Sequence, residues 1–364
     1  MLVVDHHVPT PDRDAGSLRM FHLMQAARRV GFEVSFVAHS HISGARRYFA
    51  ELRRAGVQVP WPERGWSVKR HLWLHGARYD VVILSRAGVA SDNIGLVHRL
   101  APKARVVFDT VDLHFVRERR EAELAGDAAL LARAAERERE EIGLTAAADF
   151  TWTVSETERQ VLLAECPTAK VHVLSTIHDP EPTATPFGER PDYLFVGGFH
   201  HPPNVDAVRS FARDVVPLVR GRLPGARFLV VGSDAPPEIL ALAGDDIVIT
   251  GHVSDLRGLF EHARLSVAPL RFGAGVKGKI NTSMSFGVPV VASELALEGM
   301  HLEPDRDVLV GRDPEAFAEA MTRLYQDEAL WQRLREAGLA SIRRAFSVEA
   351  AEATLRELRR AIGD

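Results

Sequence analysis

The chain has 364 residues and a formal net charge of −4 when its histidines are neutral. This length exceeds the size at which one hydrophobic core keeps growing, so we predict two domains of ordinary size. The slightly acidic balance argues against a nucleic-acid-binding protein, because such proteins are usually basic. A single cysteine, Cys166, excludes an internal disulfide and a cysteine metal cluster.

The amino-terminal residues show no targeting segment, because the apolar run "MLVV" is short and an acid follows it directly. No run of about 18 apolar residues occurs, so we predict no membrane-spanning helix. With the lone cysteine, this pattern favours a cytoplasmic protein, at most peripheral on the inner face of the cell membrane. The chain starts within a predicted strand, which fits a complete protein or a domain of a larger one.

Short apolar runs alternate with helical patterns throughout the first half. The predicted strands are "LVVD" (2–5), "EVSFVA" (33–38), "VVIL" (81–84), "RVVFD" (105–109) and "FTWTV" (150–154). Helical patterns cover residues 17–31 and the charged stretch 116–140. Continuous β-branched runs separated by helices are typical of a parallel sheet covered on both faces. We therefore predict a Rossmann-like α/β domain over residues 1–180.

A proline-rich segment then interrupts the pattern, and we assign residues 181–191 as an interdomain linker. The alternation resumes after it, with predicted strands "YLFVG" (193–197), "RFLVVG" (227–232), "DIVIT" (246–250), "LSVAPL" (265–270) and "VPVVAS" (288–293). We predict a second Rossmann-like domain over residues 192–346. A C-terminal helix over 347–364 is expected to pack back on the first domain. The predicted fold class is α/β, with two doubly wound domains facing across a cleft that holds the ligand.

Glycine-rich turns follow several predicted strands, at Gly16, at Gly197 and Gly198, and at Gly251. Glycine lets backbone N–H groups approach a ligand closely, and the N-terminus of a helix favours an anion. Steric demands of a strand-to-helix turn explain each of these glycines equally well.

Lysine is rare in this chain, yet two of its five lysines, Lys277 and Lys279, follow Gly273 and Gly275 at a predicted helix start, with Arg271 nearby. Cations at a helix N-terminus oppose the macrodipole, so their presence there favours a bound anion. A diphosphate fits three fixed positive charges beside exposed backbone N–H groups. The spacing is not that of a Walker A loop, and no GxGxxG motif opens the chain.

The second half resembles the nucleotide-sugar domain of GT-B glycosyltransferases of the family 4 type, glycosyl transferases group 1. The matching words are "LFVGGFHHPPNVDAVRSF", "VPLVRGRLPGARFLVVGS", "IVITGHVSDLRGLFEHARLSVAPLRFGAGVKGKI", "SMSFGVPVVAS" and "LEGM". The first half is similar in "VPTPDRDAGSLRMFHLM", "VVFDTVDLHFVRERR" and "TVSETERQVL". The resemblance covers nearly the whole chain. It implies a GT-B fold, in which residues 1–180 form the acceptor-side domain and residues 192–346 bind the nucleotide sugar. It also implies a nucleoside-diphosphate-sugar donor, retention at the anomeric carbon, and no cofactor or essential metal.

The resemblance also implies roles for specific positions. The donor diphosphate would be held by Gly16, Ser17, Arg271, Gly273, Gly275, Lys277 and Lys279. The nucleoside would contact Gly198, Gly251, His252, Val253, Thr282 and Glu298. The catalytic groups would be Asp112, His114 and Lys279, the first two lying in the "VDLH" loop that faces the transferred sugar or the acceptor.

Two regions depart from the family pattern. Members often carry two glutamates, spaced E-x7-E, that orient the donor sugar and ribose, and these positions are Ala274 and Thr282 here. Many relatives also place Arg and Lys after the glycines of "VGG", where this chain has Phe199 and Pro203. Neutralisation of the phosphates would then fall mainly on the cations of the glycine-rich loop.

Several other polar residues have simpler explanations. The histidine pairs His6/His7 and His200/His201 lack the spacing of a metal site, and we predict no metal ligands. Asp109 is explained as a cap of the turn that follows it.

Two helical stretches carry many charges. The stretch 45–54 fits either contact with an anionic membrane surface or a buried apolar stripe edged by arginines, and we favour the buried stripe. The stretch 116–140 is predicted to be one solvated helix with pairs of opposite charge four residues apart.

We expect a glycosyltransferase that acts on a glycan or lipid-linked acceptor in polysaccharide or O-antigen synthesis, with no nucleic-acid partner. Two alternatives remain open. One is a non-catalytic GT-B module that binds a nucleotide sugar or glycan within a larger protein, which the missing glutamates favour. The other is a sugar-nucleotide epimerase, which also uses an interdomain cleft but needs acid/base carboxylates.

Overall fold

A computed structural model describes residues 1–40, 45–60, 67–273 and 275–363. The strands are β1 (Leu2–Asp5), β2 (Ser35–Ala38), β3 (Val81–Ser85), β4 (Arg105–Asp109), β5 (Phe150–Thr153), β6 (Val171–Val173), β7 (Asp192–Val196), β8 (Phe228–Val231), β9 (Ile247–Gly251), β10 (Ala263–Ala268), β11 (Val290–Ala292) and β12 (Leu309–Val310). They form two six-stranded parallel sheets.

Helices cover both faces of each sheet. In the first domain they are α1 (Ala15–Arg29), α2 (Arg46–Arg54), α3 (Val68–His75), α4 (Ala87–Leu100), α5 (His114–Ala125), α6 (Ala128–Ala147) and α7 (Glu156–Glu165). After it come α8 (Pro202–Asp214), α9 (Val216–Arg220), α10 (Pro237–Leu240), α11 (Arg257–His262), α12 (Gly278–Ser285), α13 (Pro314–Gln326), α14 (Glu328–Ser341) and α15 (Val348–Gly363).

The first sheet has the strand order β2-β1-β3-β4-β5-β6. Its central strands are buried on both faces, with Val3 and Ile83 in one hydrophobic cluster and Leu2 and Val82 in another. This double burial explains why the strands read as continuous apolar runs rather than as alternating patterns. All five predicted strands are confirmed. The sequence pattern did not predict β6, because three residues are too few to show a pattern.

The prediction of one helix over residues 116–140 is wrong. Gly126 takes the left-handed conformation, with φ of 63°, and ends α5. The Asp127 side chain then accepts hydrogen bonds from the backbone N–H groups of Ala129 and Leu130 and begins α6. The two helices pack against each other as a hairpin. A Gly-Asp pair within a charged helix pattern was the signal for this turn.

The second sheet has the order β12-β11-β10-β7-β8-β9 and again contains every predicted strand. Its core is aromatic on one side, where the rings of Tyr193 and Phe228 stack 5.3 Å apart and Phe211 lies 4.9 Å from Phe228. Asp313 caps α13 as predicted, because its side chain accepts a hydrogen bond from the Ala316 backbone N–H. The two-residue strand β12 was missed.

The chain returns to the first domain at its C-terminal end. A turn of π-helix over Ile342–Phe346 separates α14 from α15. The apolar side of α15 then packs in the core of the first domain beside α1, through Val348, Leu355 and Leu358. Docking of α15 on the first domain removes these apolar side chains from water, and this burial stabilises the contact.

The apolar residues of α2 face the core. Tyr48, Phe49 and Leu52 are buried, while the arginines of this helix lie at its edges. The favoured interpretation of residues 45–54, a buried apolar stripe edged by arginines, is therefore confirmed. The alternative was that this apolar stripe contacts a membrane, and it is wrong because these side chains lie inside the domain.

The strand order fixes where ligands can bind. In the first sheet the order reverses between β1 and β3, and in the second between β7 and β10. In doubly wound folds the crevice outside the carboxyl ends of the strands at such a reversal is the usual ligand site. The loops that follow these strands in both domains line one common cavity.

Candidate functional site

A cavity of about 380 Å³ lies between the two domains at the carboxyl ends of both sheets. The first domain lines it with the turns that follow β1, β3 and β4, including Gly16, Arg86 and Asp112. The second domain contributes Gly198 and the glycine-rich loop between β10 and α12. A larger cavity, of about 940 Å³, lies against the amino ends of the first sheet, away from every predicted site residue. We take the smaller cavity as the candidate site, because only there do the predicted residues meet.

Lys277 stands at the N-cap of α12 and is almost fully buried. Its ammonium group donates a hydrogen bond to the Gly275 carbonyl oxygen, at 2.5 Å. Burial lowers the pKa of Lys277 to about 8, although the carboxylates of Glu298 and Glu158 act in the opposite direction. A cation in this position is held against both burial and the helix dipole.

Lys279 lies in the first turn of α12 and also faces the cavity. Its Nζ donates to Asn204 Oδ1 at 2.7 Å and lies 5.0 Å from the centre of the Phe195 ring. Burial, together with a smaller effect of the neighbouring charge of Lys277, lowers the pKa of Lys279 to about 7. Among the described residues Lys279 forms no ion pair, so its charge is satisfied only by neutral groups.

The glycines of the cleft keep the two domains close. Gly275 has a φ of +69°, and a Cβ there would lie 3.2 Å from Asp112 Cβ of the other domain. A Cβ on Gly278 would lie 2.7 Å from Ala15 Cβ, which is closer than real Cβ atoms approach. Both positions therefore need glycine for domain contact, in addition to any ligand contact.

Arg271 does not reach the cavity. It forms a two-point ion pair with Asp206 of α8, with Nε 2.7 Å from Oδ2, and the guanidinium is half exposed. The structure thus separates Arg271 from Lys277 and Lys279, with which the sequence grouped it. Gly273, by contrast, lines the cavity as predicted from the loop pattern.

Glu298 joins the two domains. Arg120 of α5 grips both of its carboxylate oxygens, one of them at 2.7 Å from Nη2, and also donates to the Gly273 carbonyl oxygen at 2.8 Å. This hydrogen bonding lowers the pKa of Glu298. The interpretation of residues 116–140 as merely solvated overlooked Arg120, because a charged helix gives no sequence signal for a partner in another domain.

Asp112 and His114 belong to a chain of polar contacts that leads away from the cavity. Asp112 lines the cavity and accepts from Arg117 Nη1 at 3.0 Å, while its other oxygen lies 3.5 Å from His114 Nε2. His114 Nδ1 lies 2.9 Å from Oε1 of the fully buried Glu141. Burial alone lowers the pKa of His114, but the two carboxylates outweigh burial and raise it. The chain holds the imidazole between two acids, with Asp112 nearest the cavity.

Glu158 is a buried carboxylate that sequence reasoning missed. It accepts from the backbone N–H groups of Leu113 and Val154, at 3.1 and 3.3 Å. Burial and, to a smaller extent, the nearby charge of Asp112 raise the pKa of Glu158 to about 7, although the two backbone hydrogen bonds act in the opposite direction. Its place within "TVSETE" reads as an ordinary helix start, so only the fold reveals that it lies beneath the glycine-rich loop.

The interpretation of Asp109 as a turn cap is wrong. Asp109 is fully buried and paired at two points with the buried Arg19 of α1, at 2.8 and 2.7 Å. Ser85 Oγ donates to the same carboxylate at 3.0 Å. This pair ties α1, β3 and β4 together directly below the cavity.

The predicted nucleoside residues are only partly brought together. Gly198, His252, Val253 and Thr282 line the cavity. Gly251 ends β9 with a φ of +70° but does not line it.

Three further predicted positions complete the comparison. Ser17 is buried in the first turn of α1, where its backbone N–H donates to the Asp14 side chain, and it does not line the cavity. Ala274 lies outside the described residues. No group of three or more His, Cys, Asp or Glu side chains in the described ranges is arranged to hold a metal ion.

Two residues at the edge of the cleft have strained backbones. Arg86 has a φ of 79° and Val111 a φ of 66°, although neither is glycine. Arg86 is held there by its Nε, which donates to Asp5 Oδ1 at 2.9 Å. Strained conformations of this kind collect at functional sites, where the surrounding structure fixes them.

Two facing doubly wound domains with a polar cleft define a protein of the GT-B class, and comparison with solved structures confirms this predicted fold. Sucrose-phosphate synthase from Thermosynechococcus elongatus has 16% sequence identity and a TM-score of 0.72, covering 99% of this chain and 98% of its own. HepE of Anabaena, solved with UDP and glucose, has 12% identity and a TM-score of 0.74 over 99% of both chains. A glycosyltransferase from Rickettsia africae has 13% identity and a TM-score of 0.65, covering 99% of this chain and 98% of its own.

The second domain also has a sequence match. Residues 190–327 match the family Glycosyl transferases group 1, a span that runs from just before β7 to the end of α13. It includes both lysines of the cleft. No curated protein matches the chain. In the described part of the chain, no helix is long and apolar enough to cross a membrane.

Proposed function

We propose that this protein is a retaining, metal-independent glycosyltransferase of family 4 type. It transfers a sugar from a nucleoside-diphosphate donor to a glycan or lipid-linked acceptor in bacterial-type polysaccharide or O-antigen synthesis. The match of residues 190–327 to glycosyl transferases group 1 supports this class. Solved neighbours hold related ligands, since HepE was solved with UDP-glucose and with UDP and glucose. The observation that carries the proposal is a pair of lysines at the start of α12, the buried Lys277 and the half-buried Lys279, which both line the cleft.

The charged forms of the two lysines would be more stable in a cleft that holds an anionic ligand than in an empty one. Both pKa values lie well below the ordinary lysine value, at about 8 and about 7, because burial disfavours the charged form. A bound diphosphate would supply additional counter-charge and keep both ammonium groups protonated. The backbone N–H groups at the start of α12 point to the same place. Donor binding and proton uptake are therefore coupled.

The reaction needs stabilisation of the leaving group. As the bond between the anomeric carbon and the β-phosphate oxygen breaks, negative charge grows on the diphosphate. Lys277, Lys279 and the N-terminal turn of α12 are fixed donors for that charge, which is the role a divalent cation has in other enzymes. The acceptor hydroxyl then bonds to the same face of the anomeric carbon, and its proton passes to the departing phosphate oxygen. No separate protein base is required.

Asp112 and His114 serve the sugar side of the cleft in this proposal. Asp112 faces the cavity from the first domain, opposite the glycine-rich loop. Burial alone raises the pKa of Asp112, but the charges of His114 and Arg117 outweigh burial, lower this pKa and favour the ionised form. An ionised carboxylate there can accept hydrogen bonds from sugar hydroxyls and favour the positive charge that develops near the anomeric carbon. His114 orients Asp112 from behind and is itself held by Glu141.

The experiment is a turnover assay on the purified protein with a panel of UDP-, GDP-, dTDP- and CDP-sugars. Release of the free nucleoside diphosphate is measured with and without EDTA, and the product anomer is assigned by NMR. We expect release that EDTA does not reduce, a product that keeps the donor configuration, and a loss of roughly 10²-fold or more in kcat for Asp112→Asn. EDTA-sensitive turnover or an inverted product would refute the mechanism.

A second candidate is a non-catalytic nucleotide-sugar-binding module. Thr282 favours it, because this side chain lines the cavity where the resemblance implies a carboxylate. The Arg120–Glu298 pair favours it too, because the glutamate is occupied by a protein partner. Binding of a nucleoside diphosphate without turnover of any donor in the panel would select this candidate.

A further inference from the structure

Asn204 connects two segments of the second domain that line the cleft. It lies in the first turn of α8, is 5% exposed, and lines the cavity together with Gly198 and Lys279. Its Nδ2 donates to the Gly198 carbonyl oxygen at 2.7 Å, and its Oδ1 accepts from Lys279 Nζ at 2.7 Å. One side-chain amide therefore joins the turn after β7 to the start of α12.

The two partners fix the orientation of this amide. A carbonyl oxygen only accepts and an ammonium group only donates, so Nδ2 must face Gly198 and Oδ1 must face Lys279. Gly197 lets the amide lie this close, because a Cβ at that position would be 2.7 Å from Asn204 Nδ2. The amide cannot rotate without losing a hydrogen bond, so the direction in which Lys279 Nζ is held is fixed as well.

The partner of Lys279 is uncharged, unlike the partners of several arginines in the same cavity. Three arginines line the cavity and each pairs with an aspartate, namely Arg19 with Asp109, Arg86 with Asp5, and Arg117 with Asp112. Lys279 meets the Asn204 amide and the face of the Phe195 ring, and among the described residues it forms no ion pair. The turn that it reaches, residues 197–204, contains no lysine or arginine of its own. Lys279 is thus a cation brought to this turn from α12.

We propose that Asn204 is a positioning residue, which holds the Lys279 ammonium group at the turn after β7 without neutralising its charge. This inference rests on the proposed function, because the anion that would gain from that charge is the donor diphosphate. A neutral acceptor suits this task, since it fixes the direction of Nζ and leaves the charge to act on the ligand. A carboxylate in its place would form an ion pair with Lys279 and repel the phosphates.

A simple clamp on the turn after β7 is the competing role, and the amide could fulfil it through Gly198 alone. The two roles predict different results for the charged variant of nearly equal shape. Asn204→Asp adds a carboxylate beside Lys279, so it should raise the pKa of Lys279 from about 7 by roughly one to three pH units. Loss of the Gly198 contact alone would leave this pKa at the wild-type value.

The first test is an NMR titration of the empty protein, using the whole chain labelled with ¹³C in its lysine side chains. The chain has five lysines, so five Cε signals are expected, and the signal missing from Lys279→Met belongs to residue 279. Asn93→Asp is the matched control, because Asn93 is also buried and its Nδ2 donates to the Val89 carbonyl oxygen at 2.8 Å. Asn93 does not line the cleft, so its variant should leave the Lys279 pKa unchanged. An Asn204→Asp protein with the wild-type Lys279 pKa would overturn the proposal.

The second test is calorimetric titration with UDP, GDP, dTDP and CDP. At pH 6 Asn204→Asp should bind roughly 100-fold more weakly than the wild type, because the new carboxylate lies beside the phosphates. Asn93→Asp should bind with wild-type affinity. Between pH 7 and 9 the affinity of Asn204→Asp should fall less steeply than that of the wild type, because Lys277 alone still loses its proton there. Weaker binding with an unchanged dependence on pH would assign Asn204 to the turn and refute its link to Lys279.

Asn204→Ala provides a second variant in case Asn204→Asp does not fold. It removes the hydrogen-bond acceptor of the ammonium group, so the Lys279 pKa should fall below the wild-type value. Nucleotide binding at pH 7 should weaken roughly tenfold, as expected for the loss of a hydrogen bond to a charged group. The two variants thus shift the Lys279 pKa in opposite directions while both weaken binding. A clamp on the turn predicts no shift of this pKa in either variant.

The lysine titration is independent of the proposed reaction, because it uses the empty protein. A wild type that binds none of the four nucleotides would refute the proposed function, and the titration would still decide whether Asn204 controls Lys279. Nucleotide binding by the wild type, with an unchanged Lys279 pKa in the Asn204 variants, would refute the inference alone.

Discussion

Replacing Lys279 by methionine should make the empty protein more stable and at the same time abolish nucleotide binding. The wild-type lysine has a pKa of about 7 instead of the ordinary 10.5, because burial disfavours its charge. At 1.36 kcal/mol per pH unit, keeping it protonated in the folded protein costs about 5 kcal/mol below pH 7. Methionine has a similar length and no charge, so it removes this cost.

The gain must be corrected for lost contacts and for pH. Asn204 Oδ1 loses the ammonium donor, which costs about 2 kcal/mol, so the net stabilisation at pH 6 is about 3 kcal/mol. Between pH 7 and 10.5 the unfolded chain holds a proton on Lys279 that the folded chain lacks. Wild-type stability therefore rises with pH in this window, and the advantage of Lys279→Met falls to about zero at pH 9.

The assay is urea unfolding of the empty protein at pH 6 and pH 9, followed by thermal unfolding with a nucleoside diphosphate. Lys170→Met is the control, because Lys170 is exposed and does not line the cleft. A Lys279→Met protein that is less stable than the wild type at pH 6, with an unchanged dependence on pH, would show that the lysine is not held as a costly cation.

Three further predictions concern the same cleft. Nucleotide affinity should fall between pH 7 and 9 by up to about tenfold per pH unit for each lysine that deprotonates, because pKa values of about 7 and about 8 leave fewer protons on the empty site. Calorimetry in two buffers of different ionisation enthalpy should detect proton uptake on binding. A nucleotide affinity that does not depend on pH would contradict this prediction. Arg120→Ala should lower the free energy of unfolding by only about 1 kcal/mol, since the ion pair with Glu298 is partly exposed. The same variant should weaken nucleotide binding measured by titration, because the Glu298 carboxylate, freed from Arg120, then attracts the charge of Lys277. Gly275→Ala should lower the unfolding temperature more than Gly126→Ala, because both glycines have a positive φ but only Gly275 lies against Asp112 of the other domain. Equal decreases in the unfolding temperature would mean that this domain contact is unimportant.

The sheets were predictable because their strands are buried on both faces. A strand such as Val81–Ser85 must be apolar along its whole length, and this leaves a clear run in the sequence. The short strands Val171–Val173 and Leu309–Val310 leave no such apolar run in the sequence. Two or three residues can form backbone hydrogen bonds to the edge strand of a sheet with almost any side chains. The break at Gly126 was visible in the sequence, but the dense charge pattern on either side concealed it.

The candidate site was predictable where a residue conflicts with its local structure. Lys277 and Lys279 oppose a helix dipole, and this conflict is visible in the order of the residues alone, so it indicates the cleft directly from the sequence. Glu158 and Arg120 agree with ordinary helix patterns, so their partners in other elements could not be found from sequence spacing. Arg271 was grouped with the lysines by proximity in sequence, yet its side chain points to Asp206 on another helix.

The most direct measurement is thermal unfolding of the wild type and of Lys277→Ala/Lys279→Ala with UDP, GDP, dTDP and CDP. Ligand binding to the folded state stabilises by RT ln(1 + [L]/Kd), which is about 2.7 kcal/mol at a hundredfold excess over Kd. We predict a clear rise in the unfolding temperature of the wild type with at least one of the four nucleotides, and loss of most of that rise in the double variant. No rise with any nucleotide, or an equal rise in both proteins, would contradict a diphosphate site at the start of α12.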